Sequence, residues 1–267
     1  MSYKFLSKLL DRNKDGHIDD GFVPFLPDLT PWTLRSQTFQ NATLDDSAIN
    51  PATGNIWRGS GNDPNGWQIE NNAREHLQIG TEVHYRQGDG ILPTTYAHDT
   101  FQFVAPDGPQ VADPAHNVPG GNAARGATSF GWSISTNTDG HGESLQSYLQ
   151  DHDIFVRLQF TDTGGREVLD YTLHAEYDPI ANPNGSHIVW EDKNGNRPIT
   201  DDAGTAFVTQ NDQNLAFYAA IMDMDPNTAG VQPYAFQPGL LEVDITMVDL
   251  VGIPHVEASI HNDILLV

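Results

Sequence analysis

The chain has 267 residues, with 36 Asp+Glu against 13 Lys+Arg, a formal net charge of −23 and no cysteine. That balance excludes a general nucleic-acid-binding surface and disfavours anionic membranes, and the missing thiols exclude disulfides, thiolate catalysis and cysteine-ligated zinc. Charged residues are only 18% of the total, and much of the polar remainder is Gly, Asn, Thr, Ser, Gln and Pro, which favours turns and short strands over long helices.

The first ten residues place Phe5, Leu6, Leu9 and Leu10 on one face of a short helix. A metal-loop pattern follows. Asp11, Asn13, Asp15 and Asp19 offer side-chain oxygens at alternate positions, His17 offers its backbone carbonyl, and Gly16 allows the sharp bend a loop needs to wrap one hard cation, Ca2+. Over these ligands the segment resembles EF-hand and dockerin-type calcium loops. It departs from both at the twelfth position, where Phe22 replaces the closing glutamate, and Pro24, Pro27 and Pro31 forbid a long exiting helix. The expected organisation is a helix and calcium-loop segment over 1–27, then a single β domain with long loops over 28–267.

Residues 28–75 are turn-rich with few strand signals. From Leu77 to Tyr85 apolar and polar residues alternate, the period of a half-buried strand. Phe101–Val104 is a further apolar run, and 105–127 reads as a loop. Alternation returns at Phe130–Ile134, Ile154–Phe160, Leu169–Tyr177, Leu241–Met247 and Val256–Ile260, with Gly- and Asn-rich turns between them. Leu215–Met224 fits a helix or a strand. Many strands with one apolar face, and no βαβ alternation, predict a mainly β protein, an antiparallel β-sandwich or jelly-roll.

The second half, through FGWSISTNTDG, YTLHAEYDP and MDMDPNTAGVQPY, resembles the β-rich domains of secreted and surface-anchored bacterial proteins. The resemblance implies an extracellular β-sandwich and assigns no catalytic residue. The terminal Asp263-Ile264-Leu265-Leu266-Val267 resembles the uncleaved signal of type I exported bacterial proteins; a terminal strand accounts for the same letters. The N-terminus lacks the apolar core and cleavage site of a signal peptide, and no run is long enough to cross a membrane as a helix.

Other clusters carry competing readings. Asp192, Asn194 and Asn196, and Asn137, Asp139 and Glu143, have calcium-ligand spacing that Asn-Gly turns also produce. His174 with Glu176, Glu82 with His84, and His255, Glu257 and His261 share polar strand faces: solvent-facing positions, or half of a metal site if neighbouring strands converge. Trp132 belongs to an apolar stripe, whereas Trp57 and Trp67 lie in polar loops suited to glycan contact. HExxH and GxSxG are absent, so no enzyme signature is present. Four Asp-Pro bonds, at Asp63, Asp113, Asp178 and Asp225, suit either turns or calcium-triggered self-cleavage. The expected function is a calcium-binding, secreted or cell-surface β-sandwich with a structural, adhesive or assembly role. The alternatives are a carbohydrate-binding or carbohydrate-active module and a self-processing module. The partners in view are calcium, a glycan, another surface protein or a second copy of the chain, with no nucleic acid and no membrane insertion.

Overall fold

The computed structural model describes residues 37–42, 67–85, 95–97, 100–105, 128–181, 186–200, 203–222, 231–232, 235–236 and 238–266. In chain order the strands are β1 (Gln37–Ala42), β2 (Trp67–Asn72), β3 (Leu77–Tyr85), β4 (Thr95–Ala97), β5 (Thr100–Ala105), β6 (Thr128–Ser135), β7 (His152–Asp162), β8 (Glu167–Tyr177) and β9 (Ile188–Asp192). Then come β10 (Ile199–Thr200), β11 (Ala203–Gly204), β12 (Val208–Asn214), β13 (Val231–Gln232), β14 (Ala235–Phe236), β15 (Gly239–Asp249) and β16 (His255–Leu266). Helix α1 (Leu145–Asp151) precedes β7, and α2 (Leu215–Met222) follows β12. The protein is mainly β, as expected.

Two large sheets carry the core. One has the order β1-β2-β3-β6-β12-β11, the other β10-β9-β8-β7-β15-β16-β5-β4. The ladders are antiparallel apart from β16 with β5, which is parallel and departs from the all-antiparallel expectation. The strands read from alternation lie where expected. In β7, Ile154, Val156, Leu158 and Phe160 are buried; in β15, Leu241, Val243, Ile245 and Met247 are. Their stripe joins Leu77, Ile79 and Val83 of β3 and Phe130, Trp132 and Ile134 of β6 in one buried cluster. The aromatic centre is Trp132, whose ring meets Trp190 of β9 edge-on at 5.4 Å and Tyr218 of α2 at 5.9 Å. The Tyr218 hydroxyl donates to the Phe130 carbonyl at 3.0 Å, so a buried phenol is satisfied while its ring fills the core.

Within the 215–224 stretch, which fits either element, Leu215–Met222 forms helix α2, whose LAFYAAIM sequence is apolar on every side and therefore shows no helical period. Strands β1, β2, β9 and β12 lie where the sequence shows no clear alternation. β2 (WQIENN) and β12 (VTQNDQN) place Gln68, Glu70, Asn72 and Asn211 opposite apolar or buried partners on the core side, which breaks the expected alternation. The solvent-facing expectation for Glu82 and His84 is also overturned, because both are buried. His84 Nε2 reaches Asp212 Oδ1 at 3.0 Å across β6, over Gly131. A side chain at Gly131 would come within 3.3 Å of Asp212 Cβ and Oδ1, so glycine leaves the room this bridge uses.

Three hydrogen bonds tie the sheets through polar side chains rather than apolar contact. Strand β5 pairs with β16 only from His261 onward, so the outer backbone edge of β16 before that point needs other partners. Side chains of β2 supply them: Asn72 Nδ2 donates to the Glu257 carbonyl at 2.6 Å, and Glu70 Oε1 accepts from the Ser259 amide at 3.0 Å. Beside them, Thr81 Oγ1 donates to Asn262 Oδ1 at 3.0 Å.

Trp132→Ala is expected to cost about 3–5 kcal/mol, the range for deleting a large buried aromatic. Val251→Ala, at an exposed turn, should stay within about 0.5 kcal/mol. Chemical denaturation of the two variants checks both values.

Candidate metal centre

The calcium-loop residues Asp11, Asn13, Asp15, His17 and Asp19, and the tryptophan Trp57, lie outside the described residues. Trp67 does not sit in a loop: it opens β2 and is fully buried, so it offers no stacking face. The oxygen-rich turns resolve as turns. Asp192 Oδ1 accepts from the Asn194 and Asn196 amides at 2.8 Å each, with Gly195 at φ +81°. Asn137 Oδ1 accepts from the Gly142 amide, Asp139 Oδ1 from the His141 amide, and Glu143 Oε2 from the Ser147 hydroxyl. Asp178, of the one Asp-Pro bond among the described residues, accepts from the Ile180 amide and pairs with Arg197. The Asp263–Leu266 stretch is the end of β16, with Ile264 and Leu266 buried.

The histidine and carboxylate residues converge in a different combination from the one their strand faces suggested. The ladder between β15 and β16 is broken: Met247 opposes Ala258 and Val248 opposes Val256, so Glu257 is an extra residue in β16. A bulge of this kind re-aims the side chain it inserts. Glu257 therefore leaves the outward face that carries His261 and is buried, where the Tyr148 hydroxyl of α1 donates to its Oε2 at 2.9 Å. Beyond the bulge, Asp249 opposes both His152 of β7 and His255 of β16, which sets His152, Asp249 and His255 in one row. Strand parity puts that row on the same side as Ile154 and Met247, at the end of the apolar stripe.

Within this cluster His152, Asp249 and Glu257 each present one ligand atom, all within 4.8 Å of one another. His152 Nε2 stands 3.6 Å from Glu257 Oε2. Asp249 is held by the Val251 amide on Oδ1 at 2.6 Å, and His255 Nδ1 lies 3.8 Å from its Oδ2. The local sequence explains His152. It caps the C-terminus of α1, where its backbone N–H and its Nδ1 both meet the Tyr148 carbonyl, and the two rings stack at 4.1 Å. A carbonyl only accepts, so Nδ1 carries a proton and Nε2 is the atom turned to the carboxylates. Burial, partly offset by Tyr148 and His152, raises the Glu257 carboxyl above its ordinary value, and burial with Glu257 beside it pushes the Tyr148 phenol well up.

A second group, Glu242, His261 and Asp263, also meets the distance requirement for a metal. It reads better as an ion cluster. His261 Nδ1 lies 2.5 Å from Asp244 Oδ1 and Nε2 lies 2.8 Å from Asp263 Oδ1, so both ring nitrogens face carboxylates. Burial pulls the imidazole down, but the two ion pairs outweigh it and push it up to about 9, leaving a cation at neutral pH. His174 shows the opposite behaviour. Burial takes it down to about 4, and its Nδ1 is 3.7 Å from Glu176 and 4.0 Å from Asp153, beyond hydrogen-bond reach. Burial also raises Asp153 well above the usual carboxylate range.

No family model matches the chain, and neither a curated protein nor a solved structure matches it. Among the described residues no helix is long and apolar enough to cross a membrane.

The sequence pattern contained a signal for this cluster. His152 and Asp249 each occupy the apolar parity of their strands, two residues from Ile154 and Met247, where a polar group needs a reason. The bulge that delivers Glu257 left no such mark.

Because the folded His261 titrates near 9 and an unfolded histidine near 6.5, its stabilisation is fully present below pH 6.5 and is lost as pH rises through 9. His261→Gln is expected to lower stability by about 1 kcal/mol at pH 6 and to flatten the dependence between pH 6.5 and 9. Denaturation across that range checks the sign. Tyr148→Phe should cost about 1–2 kcal/mol by removing a buried hydrogen bond to a carboxylate, measured the same way.

Proposed function

We propose that this chain is a calcium-stabilised β-sandwich, its two large sheets packed face to face, with an adhesive or surface-assembly role outside the cell. The observation that carries the reading is the charge pattern: 36 carboxyl groups against 13 Lys+Arg. The described arginines each already serve a carboxylate, Arg74 with Glu75 and Arg166 with Asp162 among them. Arg157 pairs with Asp170, and Arg197 with Asp178 and Glu191. Carboxylates at this density repel one another in a compact state, and a divalent cation bound only by the folded chain removes that penalty.

The residues suited to calcium itself are Asp11, Asn13, Asp15, His17 and Asp19, an all-oxygen set that matches a hard ion. Low cytosolic calcium would leave such a chain weakly folded and fit for export, and higher external calcium would then stabilise it. The glycan reading has weaker support, because Trp67, Trp132 and Trp190 are all buried and no tryptophan among the described residues offers a stacking face. A self-processing role has no special geometry behind it at Asp178-Pro179, where the aspartate serves an ordinary turn.

Each calcium ion at a hundredfold excess over its Kd is expected to add about 2.7 kcal/mol. For a domain of this size that raises the melting midpoint by roughly 5–10 °C. Thermal melts of chelator-stripped protein with and without added millimolar calcium measure this directly. Equal midpoints would contradict the proposal, and the combined substitutions Asp11→Ala and Asp15→Ala should abolish the rise.

A further inference from the structure

We propose that His152, Asp249 and Glu257 form a second metal site, selective for a transition ion of the zinc class rather than for calcium. This inference stands apart from the calcium reading, since it uses different residues and a different donor chemistry. One imidazole nitrogen and two carboxylate oxygens are a mixed, borderline donor set; calcium takes six to eight oxygens, whereas zinc and its neighbours accept three or four nitrogen and oxygen ligands.

Three features go beyond a chance grouping of acids. The first is the fixed tautomer of His152. Its Nδ1–H is committed to the Tyr148 carbonyl at 3.1 Å, which is the arrangement that orients a metal-binding imidazole and leaves Nε2 as the ligand atom. The second is spacing. Nε2 and Glu257 Oε2 are 3.6 Å apart, near the separation of about 3.3 Å between two ligands of a tetrahedral ion with bonds of about 2.0 Å. A direct hydrogen bond between them would be shorter. The third is that both carboxylates are held from behind. Tyr148 donates its hydroxyl to Glu257, and the Val251 amide donates to Asp249. Glu257 is moreover a buried acid delivered by a bulge. Three protein ligands leave the fourth position of a tetrahedral ion to water, with His255 next to Asp249 at the rim.

The test uses the full-length chain without a histidine tag, stripped with chelator and titrated with Co2+ and then Zn2+. We expect one equivalent of cobalt to give visible d–d absorption, zinc to displace it, and a hundredfold excess of calcium to leave it unchanged. His152→Ala and Asp249→Asn should each abolish the absorption, while His141→Ala, in an exposed turn, retains it. Tyr148→Phe should weaken zinc about tenfold or more by freeing the Glu257 carboxylate. Asp249→Asn keeps the size of the side chain and so reports on ligation where His152→Ala disturbs the helix end. Stoichiometric absorption that survives either ligand substitution, or its absence in the unsubstituted chain, would overturn the proposal. The melting experiment in calcium reads a separate quantity, so either proposal can fail while the other stands.

Discussion

The extra residue in β16 is the constraint on which the polar architecture depends. A regular ladder from His255 to Leu266 would place Glu257 with Ser259 and His261 on the outward face. Insertion of one residue opposite Met247–Val248 turns its carboxylate inward, under the end of the apolar stripe. Burying a carboxylate is costly unless it is hydrogen-bonded or paired. Tyr148 and His152 are the groups that offset the cost, while Asn72 satisfies the backbone carbonyl of the same residue. They come from α1, β7 and β2, so a single bulge engages a helix and strands of both sheets.

The same region shows how the two sheets are held by different means on the two sides of the core. Around Trp132 the contact is aromatic, with Trp190 meeting its ring edge-on and Tyr218 tilted against it. Along β2 and the first half of β16 it is polar, because β5 does not reach far enough to pair the β16 backbone there. Side chains of Glu70 and Asn72 take the place of a missing strand. Apolar packing supplies most of the stabilisation, and the hydrogen bonds fix which residues face each other.

The central strands were legible in the sequence because they bury one face. β7, β8 and β15 alternate cleanly, and their partners follow. β2 and β12 were hidden because Gln68, Glu70 and Asn211 occupy core-side positions, which a search for alternating apolar residues rejects. The helix α2 was ambiguous because an all-apolar segment has no period to read. For the site, residue type was legible and grouping was not. His255, Glu257 and His261 look like one polar face, yet the bulge separates them: Glu257 joins His152 and Asp249, while His261 sits between Asp244 and Asp263 as a cation. Two histidines in similar strands thus end with opposite roles, one set by a backbone carbonyl and the other by two flanking carboxylates.

The bulge brings an inward-facing carboxylate to a histidine of fixed tautomer, the arrangement on which the proposed transition-metal site rests. A zinc-loaded crystal measured on both sides of the zinc absorption edge tests it most directly. An anomalous peak bonded to His152 Nε2 and to oxygens of Asp249 and Glu257, at about 2.0–2.2 Å, is expected. A peak only at surface histidines, or a β16 in which Glu257 faces outward with His261, would contradict it.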